Sequence, residues 1–483
     1  MAVSMKRPLL VGGVGLSLGL WLLDSLNHAV SEWGTVVLLG AIALGSGWFW
    51  LRRQSGADLE LGPVSVTVDR AMAEGAIAEA EAKIQLLAME TSDEQRLTGL
   101  RERLAAIATL SQRTTLSIAL LGGKNVGKTT LSQRLQAALP EATLRWTDTA
   151  ALFSQGGSEG DEAVWQAIAE ADVALLITAG DLTDMEFQAL QRLASLRYPT
   201  ILVLNKQDQY LPGEQALLEQ RLRERMAQVF TEARVAAIAA QPAPLKVRQH
   251  HGDGSVTERL EQPVPAIAPL AEQLQPWLAH DRAALRWGTT WRAAIALRQQ
   301  TQTHLNEVRR EKALPLLEQF QWIAAGAAFA NPLPALDLLS TAAINGQMVM
   351  ELGAIYQQRF SLEQAQAVAK EMAGLLLKLG LVELSTQGVT AALKSNAATY
   401  VAGGVVQGAS AAYLTRLAGL SLLAYFEEHG DGAVPSRDRL SELLQAVFQQ
   451  EQRSAFFQRI AQQSLQRLIP GATPSASSVV ASL

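Results

Sequence analysis

The chain has 483 residues, 48% of them hydrophobic and only 18% charged, with a formal net charge of −5 and no cysteine. Its length predicts two or more domains. The missing cysteines exclude disulfides, thiol catalysis and cysteine-based zinc sites, and the mild acidity gives no electrostatic footprint for nucleic acid. Among the six scattered histidines, the pair His250 and His251 reads as a solvated loop rather than a metal site.

Two apolar segments open the chain, at 8–26 and 34–51. Each is just long enough to cross a bilayer, which predicts a transmembrane helical hairpin over 8–51. A cleaved signal peptide is the alternative for the first segment. Lys6 and Arg7 precede the hairpin, Arg52 and Arg53 follow it, and the loop at 27–33 carries no Lys or Arg. Both ends therefore face the cytoplasm. The expected location is a bacterial membrane (plasma membrane, or thylakoid if the source has one), crossed in several passes, with membrane lipids as partners. Residues 69–112 read as a helical linker region of two runs, 69–90 and 92–110. Ser92 and Gln95 have the spacing of a capping box on the second.

Residues 113–265 carry an alternating pattern of strands (115–121, 143–148, 172–180, 199–205, 234–240), of which 172–180 and 199–205 read as buried, and helices (129–139, 162–171, 184–196, and a turn then helix over 206–230). This predicts an α/β domain with a mostly parallel sheet and helices on both faces. The first strand runs into GGKNVGKTT, residues 122–130, which fits G-x-x-x-x-G-K-[ST]. Glycines let backbone N–H groups converge on phosphate oxygens, and the positive end of the next helix adds to them. The phosphate-binding candidates are Gly122, Asn125, Gly127, Lys128, Thr129 and Thr130. Lys128 reaches the outer phosphates, and the Thr129 hydroxyl ligates Mg²⁺.

The second motif is NKQD, Asn205 to Asp208, at the end of a buried strand. A carboxylate there accepts from guanine N1–H and its 2-amino group, a pattern adenine lacks. Charge-assisted bonds of this kind are worth about 1.5–3 kcal/mol each. The Lys206 stem can lie over the ring, and Asn205 can hold loop and base. With the phosphate loop at this spacing, the chain resembles the Era-like branch of the small GTPase superfamily. AGDLTDMEFQAL (179–190) is similar to the stretch those proteins carry before their guanine strand. Ala239–Gln241 stand in the place of their S-A-K base loop without its Ser and Lys. The resemblance implies GTP and GDP as ligands with Mg²⁺, Asn205, Lys206, Asp208 and Ala240 as guanine-binding residues, and the class of a P-loop GTPase.

The γ-phosphate side departs from that pattern. Where the family carries D-x-x-G, this chain has DTAA, Asp148 to Ala151. Asp148 can still serve Mg²⁺ with Thr129. Asp148 lies only twenty positions after Lys128, too few for a full switch I loop and an extra strand. Thr143 or Thr147 could substitute for the missing threonine and Gln155 could orient a water, but catalytic residues stay unassigned. Binding is expected, with slow hydrolysis that a partner or self-association would accelerate. A non-hydrolysing GTP/GDP-binding scaffold and a dynamin-like membrane-remodelling GTPase are the alternatives.

Residues 266–313 read as a connector helix with the mixed charges of a solvated element, preceded by a hairpin over 245–260 around the GDG turn. From 314 to 430 the chain turns apolar, in runs 320–356 (broken at NPLP, 331–334), 369–384 and 400–426. The last is long enough to span a membrane. Asp337 and Arg416 argue against simple lipid exposure, and Gly404–Gly408 spacing favours close helix approach. A membrane-associated bundle, an apolar soluble bundle, and a pore lined by Asp337 all remain open. This region resembles the C-terminal helical domain of unknown function of YcjF-like bacterial membrane proteins, often fused to an Era-like GTPase. That implies membrane association and GTP binding. An unidentified protein partner and self-association into a homo-oligomer are expected besides. Helices at 431–470 and a disordered tail at 471–483 complete the organisation.

Overall fold

The computed structural model describes residues 62–153, 157–250, 256–330, 334–394, 403–429 and 436–451, with Gln463. The expected hairpin at 8–51, the side chains of Gln155 and Asp337, the GDG turn and the tail lie outside the described residues.

The α/β pattern is present. Strands β1 (Leu116–Gly122), β2 (Leu144–Asp148), β3 (Val173–Thr178), β4 (Thr200–Leu204) and β5 (Val235–Ala237) form one sheet in the order β2-β1-β3-β4-β5. The β1/β2 and β4/β5 pairs are parallel. Strands β1, β3 and β4 are buried at every position, as continuous apolar runs predict for a covered parallel sheet. Among the intervening helices, α3 spans Lys128–Ala138, α4 Gly157–Ala167, α5 Asp184–Ser195 and α6 Pro212–Ala227. A capping box starts α5: the Thr183 hydroxyl accepts from the Glu186 amide, and the Glu186 carboxylate accepts from the Thr183 amide. Helix α4 begins five residues before its expected start, taking in Gly157 and Gly160, because burial of Val164 and Trp165 outweighs the helix penalty of glycine.

Contacts divide the chain into two compact units. Of the described residues, the first comprises those up to Val66, Gly122–Leu131 and Leu175–Leu270, and the second Thr67–Leu121, Ser132–Ala174 and those from Ala271 onward. The first ends with an antiparallel hairpin, β6 (Leu245–His250) with β7 (Val256–Glu261), whose strands lie where the sequence placed them.

In the second unit, helices α1 (Arg70–Glu90) and α2 (Glu94–Leu110) precede the sheet, and α7 (Ala268–Ala279) and α8 (Arg282–Ala330) follow it. The capping box expected at Ser92 is not the one used. Asp93 caps α2 by accepting from the Arg96 amide at 3.0 Å, since a carboxylate one residue closer to the helix reaches its free N–H groups. At 49 residues, α8 is about 70 Å long. It is not a solvated connector. Ile84, Leu87, Leu97, Leu100, Ala294, Leu297 and Leu305 form one buried cluster of α1, α2 and α8. The mixed charges that suggested solvation pair with these neighbours: Arg309 with Glu90 at 2.7 Å, Arg96 with Glu307 at 3.3 Å, and Arg298 with Glu79.

The first turns of α8 hold the starts of three strands. Arg282 donates to the Thr143 hydroxyl at 3.1 Å and pairs with Glu141, just before β2. Its hydrogen bond holds the Glu141 carboxyl below the usual carboxylate range, with Thr143 adding to the effect. Arg286 donates to the Arg113 carbonyl before β1. Thr289 donates to Asp172 at 2.6 Å, and Arg292 to the Ala171 carbonyl at 2.7 Å, before β3. Asp172 is fully buried and also accepts from the Ser117 amide at 2.7 Å and from Arg113.

Beyond Pro315, α8 enters an all-helical core with α9 (Pro334–Ile355), α10 (Leu362–Lys378), α11 (Leu381–Lys394), α12 (Gly403–Glu428) and α13 (Arg437–Glu451). Leu317, Phe320, Leu352, Tyr413, Leu423 and Phe426 are among its buried members. Gly380, at φ +68°, separates α10 from α11, a turn the sequence had merged into one run. The close helix approach falls at Gly419, where a Cβ would lie 2.1 Å from the buried Leu317 side chain. Among the described residues no helix is long and apolar enough to cross a membrane, so α12 does not match the spanning run its length suggested.

Candidate functional site

Strand β1 delivers the chain to the phosphate loop. Gly122 takes φ +148°, and a Cβ there would lie 2.3 Å from the Ile177 carbonyl oxygen. Gly127 takes φ +93°, and a Cβ there would lie 2.4 Å from Asn205 Nδ2. Both positions therefore require glycine. Asn125 also adopts a left-handed conformation, at φ 63°, which asparagine tolerates better than most residues. Lys128 is nearly buried, and its Nζ donates to the carbonyls of Gly122 and Gly123 at 2.9 and 2.8 Å. It thus folds over the loop it follows. Helix α3 starts at Lys128, so its free N–H groups and positive end lie at the loop. Thr129 is exposed and Thr130 half-buried.

Asn205 is the centre of the same unit. It is 3% exposed, and its side-chain amide is used at both ends. Nδ2 donates to the Val126 carbonyl in the phosphate loop at 2.9 Å, and Oδ1 accepts from the Ala240 amide at 3.0 Å. Its backbone amide donates to Thr178, at the end of β3. One side chain therefore ties the glycine-rich loop at 122–130 to the loop at Ala240. The buried Ala240 commits its N–H to this bond.

Lys206 is left-handed at φ 62°, ψ 32°, and leads into a 3-10 turn over Gln207–Gln209. That turn lifts Asp208 into an exposed position, where Oδ2 accepts from the Ala243 amide at 3.0 Å. Three supports of this loop went unread in the sequence. The Tyr210 hydroxyl donates to the Ala179 carbonyl at 2.7 Å. Gln215 Nε2 donates to the carbonyls of Gln207 at 2.6 Å and Tyr210 at 3.1 Å. Gln262 Nε2 donates to the Pro242 carbonyl at 2.7 Å. No local sequence pattern marks such ties, because each joins a side chain to a backbone carbonyl that any residue could supply.

Asp148 ends β2 in the second unit, exposed, and in register with Leu120 of β1. The next residue, Thr149, is the anchor that sequence reasoning missed. It is buried, and both its amide and its hydroxyl donate to the Leu120 carbonyl, at 3.3 and 2.8 Å. Phe153 follows at φ 60°, with its amide donating to Asp161 at 2.9 Å. Residues 139–143 are the whole connection between α3 and β2, and they contain no strand. The short spacing between Lys128 and Asp148 is therefore real, and Thr143 is engaged by Arg282 at the start of β2.

Residues 292–453 match the family model described as "Domain of unknown function (DUF697)". No curated protein matches the chain. Solved structures similar to it include the apo form of translation elongation factor SelB from Methanococcus maripaludis, at 17% identity over 31% of this chain and 41% of that one, with a TM-score of 0.22. The same factor bound to the GTP analogue GppNHp gives 17% identity, 31% and 42% coverage, and a TM-score of 0.22. A member of an oligomerised bacterial dynamin pair gives 11% identity, 81% and 79% coverage, and a TM-score of 0.23. Likenesses with TM-scores this low say nothing about the activity of this chain.

Proposed function

We propose that this chain is a guanine-nucleotide-binding protein of the P-loop class, Era-like in its nucleotide domain. In this reading it holds GTP or GDP with Mg²⁺ and hydrolyses GTP slowly. The observation that carries the reading is the double use of Asn205, which fixes a phosphate loop and a base loop in one relation. Lys128, Thr129 and the N–H groups of 123–130 would hold the phosphates, and Asp208 would read the guanine edge. In this reading Thr129 and Asp148 are the Mg²⁺ residues, since Mg²⁺ takes one or two protein oxygens besides phosphate and water. The metal would neutralise phosphate charge when bound, while Thr149 keeps Asp148 at the end of its strand.

The same proposal places the hairpin at 8–51 in a bacterial membrane and assigns the helical region to the YcjF-like class. Nucleotide state would be coupled to that region through α8, whose first turns grip β1, β2 and β3 within one unit. The five-residue connection at 139–143 favours a second reading, a scaffold that binds nucleotide without turning it over.

Asp208→Asn tests the base assignment. Asparagine keeps one acceptor for the Ala243 amide but loses the charge that serves guanine. GDP affinity is expected to fall by roughly a hundredfold, from the loss of about 3 kcal/mol of charge-assisted bonding. The melting temperature without nucleotide should stay unchanged, since Asp208 is exposed. Equal GDP affinity in the two proteins, measured by titration calorimetry, would refute the guanine reading.

A further inference from the structure

The chain leaves the base loop at Pro244, runs out and back as the β6/β7 hairpin, and returns at Gln262 to bond the loop it left. This loop is held at four points. The Ala240 amide donates to Asn205, and the Ala243 amide donates to Asp208. Ala239 exchanges two backbone bonds with Ala266, at 3.0 and 2.9 Å. Gln262 Nε2 donates to the carbonyl of the buried Pro242. Three of these bonds, at two of the four points, come from the chain as it returns after the hairpin, at 262 and 266. The hairpin itself is exposed at all six positions of β7, and Leu260 is 76% exposed. An isolated two-stranded hairpin is only marginally stable, and this one begins and ends on the loop beside the guanine-reading carboxylate.

We infer that Gln262 is a positioning residue for the guanine ring, and that the β6/β7 hairpin with Gln262 forms an arm that sets how fast the nucleotide leaves. The inference rests on the guanine reading above and names a control element of that site. Pro242 has no N–H, and its carbonyl is held by the carboxamide of Gln262. That bond sits between Ala240 and Ala243, the residues that Asn205 and Asp208 hold. Freeing it lets the 239–244 segment swing on its remaining ties and lets Asp208 lose its fixed aim. Any load on the hairpin enters the loop at Pro244 and Gln262, which adjoin Leu245 and Glu261 directly.

The test is the release rate of a fluorescent GDP from the full-length protein in detergent, measured by stopped flow. Gln262→Ala and Gln262→Glu both remove the donor, since a carboxylate only accepts. Each should speed release about tenfold, the equivalent of one lost hydrogen bond. The apo melting temperature should change little, because Gln262 is itself exposed and water can replace its amide at the Pro242 carbonyl. Gln262→Lys, which keeps an N–H donor at similar reach, should restore slow release. Unchanged release in both donor-less variants would overturn the arm while leaving guanine binding intact. Faster release accompanied by a lower apo melting temperature would also overturn it, because a merely structural role does that. If wild-type protein fails to bind the fluorescent GDP, the guanine reading falls, and the arm falls with it.

Discussion

Asn205→Ala is expected to abolish measurable nucleotide binding and to destabilise the nucleotide-binding unit. The substitution removes two side-chain hydrogen bonds and leaves the Val126 carbonyl and the Ala240 amide without that partner. A buried polar group that loses its partner costs about 1–3 kcal/mol. Two such groups give roughly 2–6 kcal/mol, comparable to a large part of a domain's stability. The phosphate loop and base loop would then lose their fixed relation, and binding energy would be spent restoring it. Asn205→Asp separates the two bonds. It keeps an acceptor for Ala240 but sets a carboxylate against the Val126 carbonyl, so phosphate-loop order should suffer more than the base loop. Amide hydrogen exchange at 122–128 and 239–243 in both variants reads the difference. Equal protection at Val126 and its neighbours in wild type and Asn205→Ala would contradict the tie.

The second large effect is expected at Asp172→Ala. This carboxylate is fully buried and takes bonds from Arg113, the Ser117 amide and Thr289. Removing one partner of a buried ion pair costs about 3–5 kcal/mol, because the other charge stays behind uncompensated. Asp172→Asn should cost less, since its oxygen still accepts. Chemical denaturation measures both. A loss below about 1 kcal/mol for the alanine variant, the scale of an exposed pair, would show that the cluster is not a structural bolt. Coupling has a separate readout in the same proteins. In wild type, protease cleavage within 282–313 should differ between GDP and a GTP analogue. The asparagine variant should lose that difference. Identical cleavage patterns of wild type in both states would count against coupling through α8.

What the sequence disclosed follows physical lines. Buried parallel strands are nearly continuous apolar runs, so β1, β3, β4 and β5 were legible within a few residues, and the half-exposed β2 followed from its place in the alternation. The loop at 122–130 was legible because its motif sets glycine at the two positions, Gly122 and Gly127, that the backbone requires. The short gap from Lys128 to Asp148 was a matter of counting, and residues 139–143 confirm it. Helix α8 was misread because its charges look solvated until their partners are known. Arg309, Arg298 and Arg282 pair with Glu90, Glu79 and Glu141, residues far away in sequence. The role of Asn205 was half legible: its place after a strand suggested a loop-holding residue, but not that one amide spans two loops. Gln262 and Thr149 were not legible, because nothing distinguishes a glutamine or threonine that bonds a distant carbonyl from one that does not.

The central claim is a guanine-nucleotide site whose hydrolytic half is reduced. Its most direct test is a competition titration on the full-length protein with Mg²⁺, with GTP, GDP and ATP displacing one fluorescent guanine nucleotide. GTP and GDP are expected to compete with similar affinity, since the missing γ-phosphate contacts give GTP little advantage. ATP should be weaker by about a hundredfold, from the two bonds Asp208 makes only to guanine, and Lys128→Ala should bind none of the three. ATP competing as well as GDP, or no displacement by any of the three, would contradict the account.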